Sequence, residues 1–263
     1  MYGYSKLEKH NENVAFEPSD NMIINSVTLD KVVEGYRQLT VTGRGLVAQS
    51  VKTTSISGRR GVWVEDISDP ERVLEIKYQL TADSSAELRE KFFSLNKFLR
   101  INQASSGMLQ VSFKDEPDYY YYAIFNGADA IEENALTVVS RFSLLVPDGF
   151  KKTREQTSTG NISITSGFEV TPVSITVTTS KATDTVKITN GRQIISFTGT
   201  YEANKDIVIE FKQDEVKATY KGRSILSELD LFSDLENFKV RPFDTITATN
   251  ATVKEVVWRE ERL

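Results

Sequence analysis

The chain has 263 residues, 39% hydrophobic and 26% charged, a globular balance with length enough for two domains. Its 32 basic and 37 acidic residues leave a formal net charge of −5 with no basic stripe, which excludes tight gripping of nucleic-acid phosphates. The absence of cysteine excludes disulfides, thiolate metal sites and thiol nucleophiles, and fits folding in a reducing cytoplasm.

Residues 1–18 are polar and charged, with Lys6, Glu8, Lys9, His10 and Glu12, and hold no apolar run of the signal-peptide kind. No window approaches the roughly 20 apolar residues that span a bilayer. The expectation is a soluble protein made in the cytoplasm, without membrane insertion. Residues 23–29, 37–42, 47–56 and 62–64 are β-prone. They are punctuated by Gly43-Arg44-Gly45 and by Gly58-Arg59-Arg60-Gly61, which reads as a hairpin turn where glycine accepts positive φ and arginine stays in water.

Leu74, Ile76, Tyr78 and Leu80 alternate with polar residues, the pattern of a half-buried strand over residues 72–80. Ser84 and Glu87 then have capping-box spacing, and Leu88, Phe92, Leu95 and Leu99 follow on one helical stripe, predicting a helix over residues 85–100 packed on its own sheet. A polar loop, residues 102–107, leads to a strand through Leu109, Val111 and Phe113. Asp115-Glu116-Pro117-Asp118 reads as a solvated turn, since proline cannot donate to a ladder. Tyr119, Tyr120, Tyr121 and Tyr122 open the next strand, two to each face, and residues 136–146 form another that ends at Pro147-Asp148-Gly149.

Residues 151–160 contain no apolar side chain and read as a linker. Beyond them come short alternating segments around Val173–Val177, Val186 and Ile188, 194–197, 207–211 and 216–220, with a turn at Lys221-Gly222-Arg223-Ser224. Regular strands with no long helix predict an antiparallel sandwich. The expected architecture is therefore mainly β (α+β). Residues 1–150 form a β-sandwich-like domain with one flanking amphipathic helix and a protruding hairpin, 151–160 the linker, and 161–263 a second antiparallel β-sandwich.

No catalytic constellation emerges. His10 is the single histidine and cannot serve a histidine-dependent triad or a multi-histidine metal site. There is no G-x-S-x-G, H-E-x-x-H, P-loop or G-x-G-x-x-G, so catalytic, cofactor and metal residues are expected to be none. Asp115 and Glu116 could be offered as a carboxylate pair for glycoside hydrolysis, but neighbours in a strand or turn usually point apart, and a solvated bend explains them more simply. Trp63, Trp258 and the tyrosine run could stack on sugars; core and interface packing explains them more simply. Trp258-Arg259-Glu260-Glu261 echoes the W-x-x-E end of a galectin sugar site, but the His-x-Asn-x-Arg half is missing.

Taken in order, Ser57-Gly58-Arg59-Arg60-Gly61, the strand and helix of residues 72–99, Val111-Ser112-Phe113-Lys114-Asp115-Glu116-Pro117, Tyr121-Tyr122-Ala123 and Pro147-Asp148-Gly149-Phe150 resemble the distal tail protein (Dit) family of siphophages. In the second half, Thr171-Pro172-Val173, the Gly222 turn and the closing residues 255–263 resemble that family's galectin-like sandwich. Residues 241–245 stand where the family often has a P-G-x-N turn.

The resemblance implies a structural virion protein at the tail tip, in short form without an inserted carbohydrate-binding module. It would be a homohexameric ring joining the tail tube protein to the tail-associated hub or fibre protein. A receptor-binding protein could be carried outside, and DNA would only pass through the channel. Six chains of −5 each would carry −30, a field that lets DNA pass without sticking. Arg44, Gly58, Arg59, Arg60, Gly61 and Trp63 are the expected hairpin and subunit-interface residues, with Asp115, Glu116, Pro117, Tyr121 and Tyr122 as structural motif residues. Residues 41–64 are expected to reach the adjacent subunit, with Trp63 packed near the base of the hairpin. A carbohydrate-binding sandwich of a phage adsorption apparatus is the rival reading.

Overall fold

The computed structural model describes residues 18–131, 135–212 and 215–263; His10 and the polar N-terminal segment lie outside them. The chain divides into two compact units, Met1–Gly149 and Phe150–Leu263. It is mostly antiparallel β-structure, the fold class that the alternating segments predict.

The first unit begins with β1 (Met22–Ile24), β2 (Val27–Thr28) and a single helical turn, α1 (Leu29–Val32). Then come β3 (Tyr36–Thr42), β4 (Ser50–Thr54), β5 (Trp63–Ser68), β6 (Arg72–Thr81), α2 (Ser85–Ser106), β7 (Leu109–Phe113), β8 (Glu116–Ala128) and β9 (Thr137–Val146). The main sheet runs in the order β2-β1-β7-β8-β9-β6-β3, and β4 and β5 form a separate two-stranded sheet among the described residues. Gln38 on β3 accepts a hydrogen bond from the Met22 amide at 2.9 Å and donates to the Asp20 carbonyl at 2.8 Å. One buried side chain thus ties β3 at one end of the strand order to the entry of β1 near the other. The sheet is therefore curled around its apolar face.

That face carries Leu74, Ile76, Tyr78 and Leu80 from β6, Val138, Phe142, Leu144 and Val146 from β9, and Leu109, Val111 and Phe113 from β7. Leu88, Leu95 and Leu99 of α2 join the same core, with Phe92 half-buried against it. Ser84 caps the helix, accepting from the Glu87 amide at 3.2 Å, and Glu87 accepts from the Asp83 amide at 2.8 Å, the reciprocal pattern of a capping box. The helix runs on to Ser106 where a polar loop was expected. Asn102 bonds back to the Phe98 carbonyl, and Gly107, at φ +77°, supplies the left-handed cap that ends it. β8 likewise starts earlier than expected, at Glu116, and Pro117 sits where the β7–β8 register slips, so its missing N–H costs no ladder bond.

The second unit contains β10 (Lys151–Thr153), β11 (Gln156–Ser158), β12 (Ser174–Thr179), β13 (Thr183–Thr189), β14 (Ile194–Tyr201), β15 (Asp206–Phe211) and β16 (Val216–Tyr220). β17 (Arg223–Ser224), a 3-10 turn (Leu226–Glu228), β18 (Thr247–Thr249), β19 (Ala251–Trp258) and β20 (Glu261–Arg262) complete it. One sheet has the order β11-β19-β12-β15-β16-β17 and the other β14-β13-β18. Ile175, Val177, Ile207 and Ile209 from the first share a core with Val186, Ile188, Ile195 and Phe197 from the second. Lys221 at φ +50° and Gly222 at φ +76° make the tight turn between β16 and β17.

Residues 151–160, expected as a linker, hold β10 and β11, paired to β20 and β19. The correction has a simple cause. These strands are held by backbone pairing and by polar partners, such as Lys152 with Glu261 at 3.1 Å, so no apolar period announces them.

Candidate assembly surface

The unit's most unusual element is the arm formed by β4 and β5, paired from Ser50↔Ser68 to Thr54↔Trp63. Every residue of both strands is exposed, including Val51, Trp63, Val64 and Ile67, and Ile56 and Val62 in the connecting turn are exposed too. A two-stranded ribbon with no core is marginal alone, and a cluster of exposed large apolar groups marks a surface that another molecule covers. Cross-strand polar contacts hold the ribbon: Lys52 pairs with Glu65 at 3.0 Å, and Thr54 also donates to Glu65.

Gly58 and Gly61 adopt φ +80° and +82° in the turn, with Arg59 and Arg60 exposed between them. Trp63 is 52% exposed on the rung next to the turn, with the Arg59 guanidinium 5.1 Å from its ring. It therefore sits at the tip of the arm, and the expectation that it packs near the base is corrected. The hairpin itself spans residues 50–68 rather than 41–64.

The root of the arm is built from two arginines, Arg44 half-buried and Arg72 buried. Arg44 reaches Asp115 at 2.9 Å and Glu116 at 3.0 Å, and its guanidinium lies 4.2 Å from the Phe113 ring centroid. Burial opposes the Arg44 charge, but the two carboxylates outweigh it, so its pKa is raised. Adjacent carboxylates expected to point apart instead converge on one cation, because the tight β7–β8 turn presents both to it. One oxygen of each carboxylate meets the same Arg44 nitrogen, so the pair is joined through the cation.

Arg72, at the start of β6, donates Nε to the Gly149 carbonyl at 2.9 Å and NH1 to the Gly43 and Gly45 carbonyls at 3.1 and 3.3 Å. Its guanidinium is also 5.7 Å from the Tyr121 ring. Gly43 has φ +89°, and a Cβ there would stand 1.9 Å from the Val73 carbonyl oxygen, so only glycine lets this backbone approach. The structure therefore splits the expected hairpin set. Arg44 joins Asp115, Glu116 and Phe113 in the root, whereas Gly58, Arg59, Arg60, Gly61 and Trp63 belong to the tip. Tyr122 packs edge-on against Tyr120 at 5.4 Å. Arg72 was not anticipated as a site residue. The available signal was its phase: it falls on the inward side of the alternation through Leu74, Ile76, Tyr78 and Leu80, where a charge demands partners.

In the second unit the residues offered for sugar binding are committed elsewhere. Trp258 is 2% exposed and lies in the core. Glu260 is buried and accepts from Gln156 at 3.0 Å, Thr165 at 2.8 Å and the Ser166 amide at 3.1 Å. Burial acts against its charge, and the bonds from Thr165 and Gln156 prevail, holding its pKa below the ordinary carboxylate value. Glu261 is paired with Lys152. Among the described residues no cluster of three or more histidine or acidic side chains could hold a metal ion.

The same unit exposes Leu231, Phe232 and Phe243, each at 91%. Phe243 adopts φ +67°, unusual for a bulky residue, in a turn locked by Asp244, which takes bonds from the Arg241 amide at 2.9 Å and from Arg192 at 2.8 Å. Rigid presentation of an apolar side chain to water is the geometry of a contact site.

Residues 166–261 match the family model described as siphovirus-type tail component, C-terminal domain. Among solved structures, the chain is similar to the Dit protein (gp 19.1) of phage SPP1, described as a paradigm of the hub adsorption apparatus in phages infecting Gram-positive bacteria. That likeness covers 92% of this chain and 99% of that one at 18% identity, with a TM-score of 0.73. It is also similar to a chain of the phage p2 baseplate in its activated conformation with Sr, over 87% of this chain and 91% of that one, at 11% identity and a TM-score of 0.51. No curated protein matches it.

Proposed function

We propose that this chain is a Dit-type component of a siphophage tail and that six copies of it close into a ring at the tail tip. The ring joins the tail tube protein to the tail-associated hub or fibre protein and leaves a channel through which DNA passes. It does no bond-making chemistry. The first unit forms the ring, and the second offers the exposed Leu231, Phe232 and Phe243 to a receptor-binding partner.

The observation that carries this reading is the arm, a ribbon with apolar side chains and no core of its own. A closed ring is built from one heterologous contact repeated by a fixed rotation, and an arm that needs a neighbour supplies one half of it. The rival, a carbohydrate-binding module, rested on Trp258 and the tyrosines. Trp258 and Tyr121 are buried, and Glu260 is saturated with donors, which favours the structural reading.

Replacing residues 50–68 by a short glycine-serine turn tests the role of the arm while sparing the Arg44 root. The shortened protein should melt as the parent does but run as a monomer, with no annuli in negative-stain images. Annuli of unchanged diameter from that variant would contradict the assignment.

A further inference from the structure

The unit that projects the arm also carries a surface fitted to receive it. The solvent face of α2 exposes Phe93 and Ile101, two large apolar groups that the core does not use, with Phe93 63% exposed. Around them stand Arg89, Lys97 and Arg100 against the single acid Glu90, so the face is positive as well as apolar. Beside it opens a cavity of about 820 Å³, lined by Phe92, Leu95 and Arg100 of the helix and by Phe125, Ile131 and Phe142 opposite. It is large enough to admit a bulky side chain.

The charge of the arm is divided along its length. Arg59 and Arg60 occupy the tip, whereas Glu65, Asp66, Asp69 and Glu71 follow along β5 and toward the root, with Lys52 alone against them. The lower arm is thus apolar and negative where the α2 face is apolar and positive. Both surfaces belong to one chain. Donor and acceptor patches of opposite charge on the same chain are what a repeating head-to-tail contact requires.

Resting on the ring reading, we infer that the occupant of the α2 face is the lower arm of the next copy of this chain. Val64 and Ile67 cover Phe93 and Ile101, and the exposed acids that follow them, Asp69 and Glu71, face Lys97 and Arg100. The contact steers the arm into register, as opposed charges at an interface do, while apolar burial holds it there.

The test is a charge exchange in the full chain, read as the fraction of ring-sized particles by light scattering at low salt. Lys97→Glu with Arg100→Glu, and separately Asp69→Lys with Glu71→Lys, should each lower the ring fraction about tenfold or more. All four changes in one chain should restore it. These positions are exposed and leave the Lys52–Glu65 pair intact, so the melting temperature of each variant should match the parent. Rings from the Lys97→Glu/Arg100→Glu variant at the parental level, or failure of the four-fold variant to recover, overturn this inference and leave the ring reading standing. A parent protein that never leaves the monomer overturns both.

Discussion

Glu260 shows how a single buried acid organises the closing end of the chain. It draws Gln156 of β11 and the Thr165–Ser166 loop onto one carboxylate, so two segments depend on one charge. Its pKa is lowered in the fold, so its contribution is complete above the ordinary carboxylate range and lost as pH falls through the lowered value. Taking the protein from about pH 6 to about pH 3 should therefore lower the melting temperature of the second unit. Glu260→Gln should cost about 1–2 kcal/mol near neutrality and make that acid dependence shallower. Equal slopes for the two proteins would show that Glu260 carries none of it. Other acids of the unit with lowered pKa values, Glu169, Glu202, Asp206, Glu228 and Asp230, add to the slope.

At the scale of elements, α2 is set by local chemistry before the core forms. Ser84 and Glu87 satisfy free amides of the first turn, and Lys91 adds an ion pair to Glu87 at 2.6 Å. Ser84→Ala should lower stability by about 1 kcal/mol in urea titrations of the first unit. A loss below about 0.2 kcal/mol would mean that packing alone fixes the start of the helix. The capping box and the Leu88–Leu99 stripe made this helix legible in the sequence. So did the alternation of β6, β7 and β9, because each of those strands buries one face and wets the other. Elements stabilised in other ways were hidden. β10 and β11 are held by backbone pairing and polar partners, and the last turn of α2 runs through asparagine and serine until Gly107 ends it. The site was half legible. Glycine spacing located the turn of the arm, but Arg44 and Arg72 owe their roles to carboxylates and carbonyls far away in sequence, which no local pattern reports.

For the whole molecule, two β-rich units divide the labour. The first binds its arm root through Arg44 and Arg72 and leaves the ribbon bare; the second buries the residues that would have bound sugar and displays others on rigid turns. Charge agrees with this division. In the proposed ring, six chains at −5 each would carry −30 and would repel phosphates passing through it. Self-association is the claim on which the functional account stands. Multi-angle light scattering of the purified full-length chain tests it most directly. A hexamer of 29.6 kDa chains weighs about 178 kDa, and the account predicts that mass at micromolar concentration. A particle of 29.6 kDa at every concentration and salt, with or without the tube and hub proteins, would contradict it.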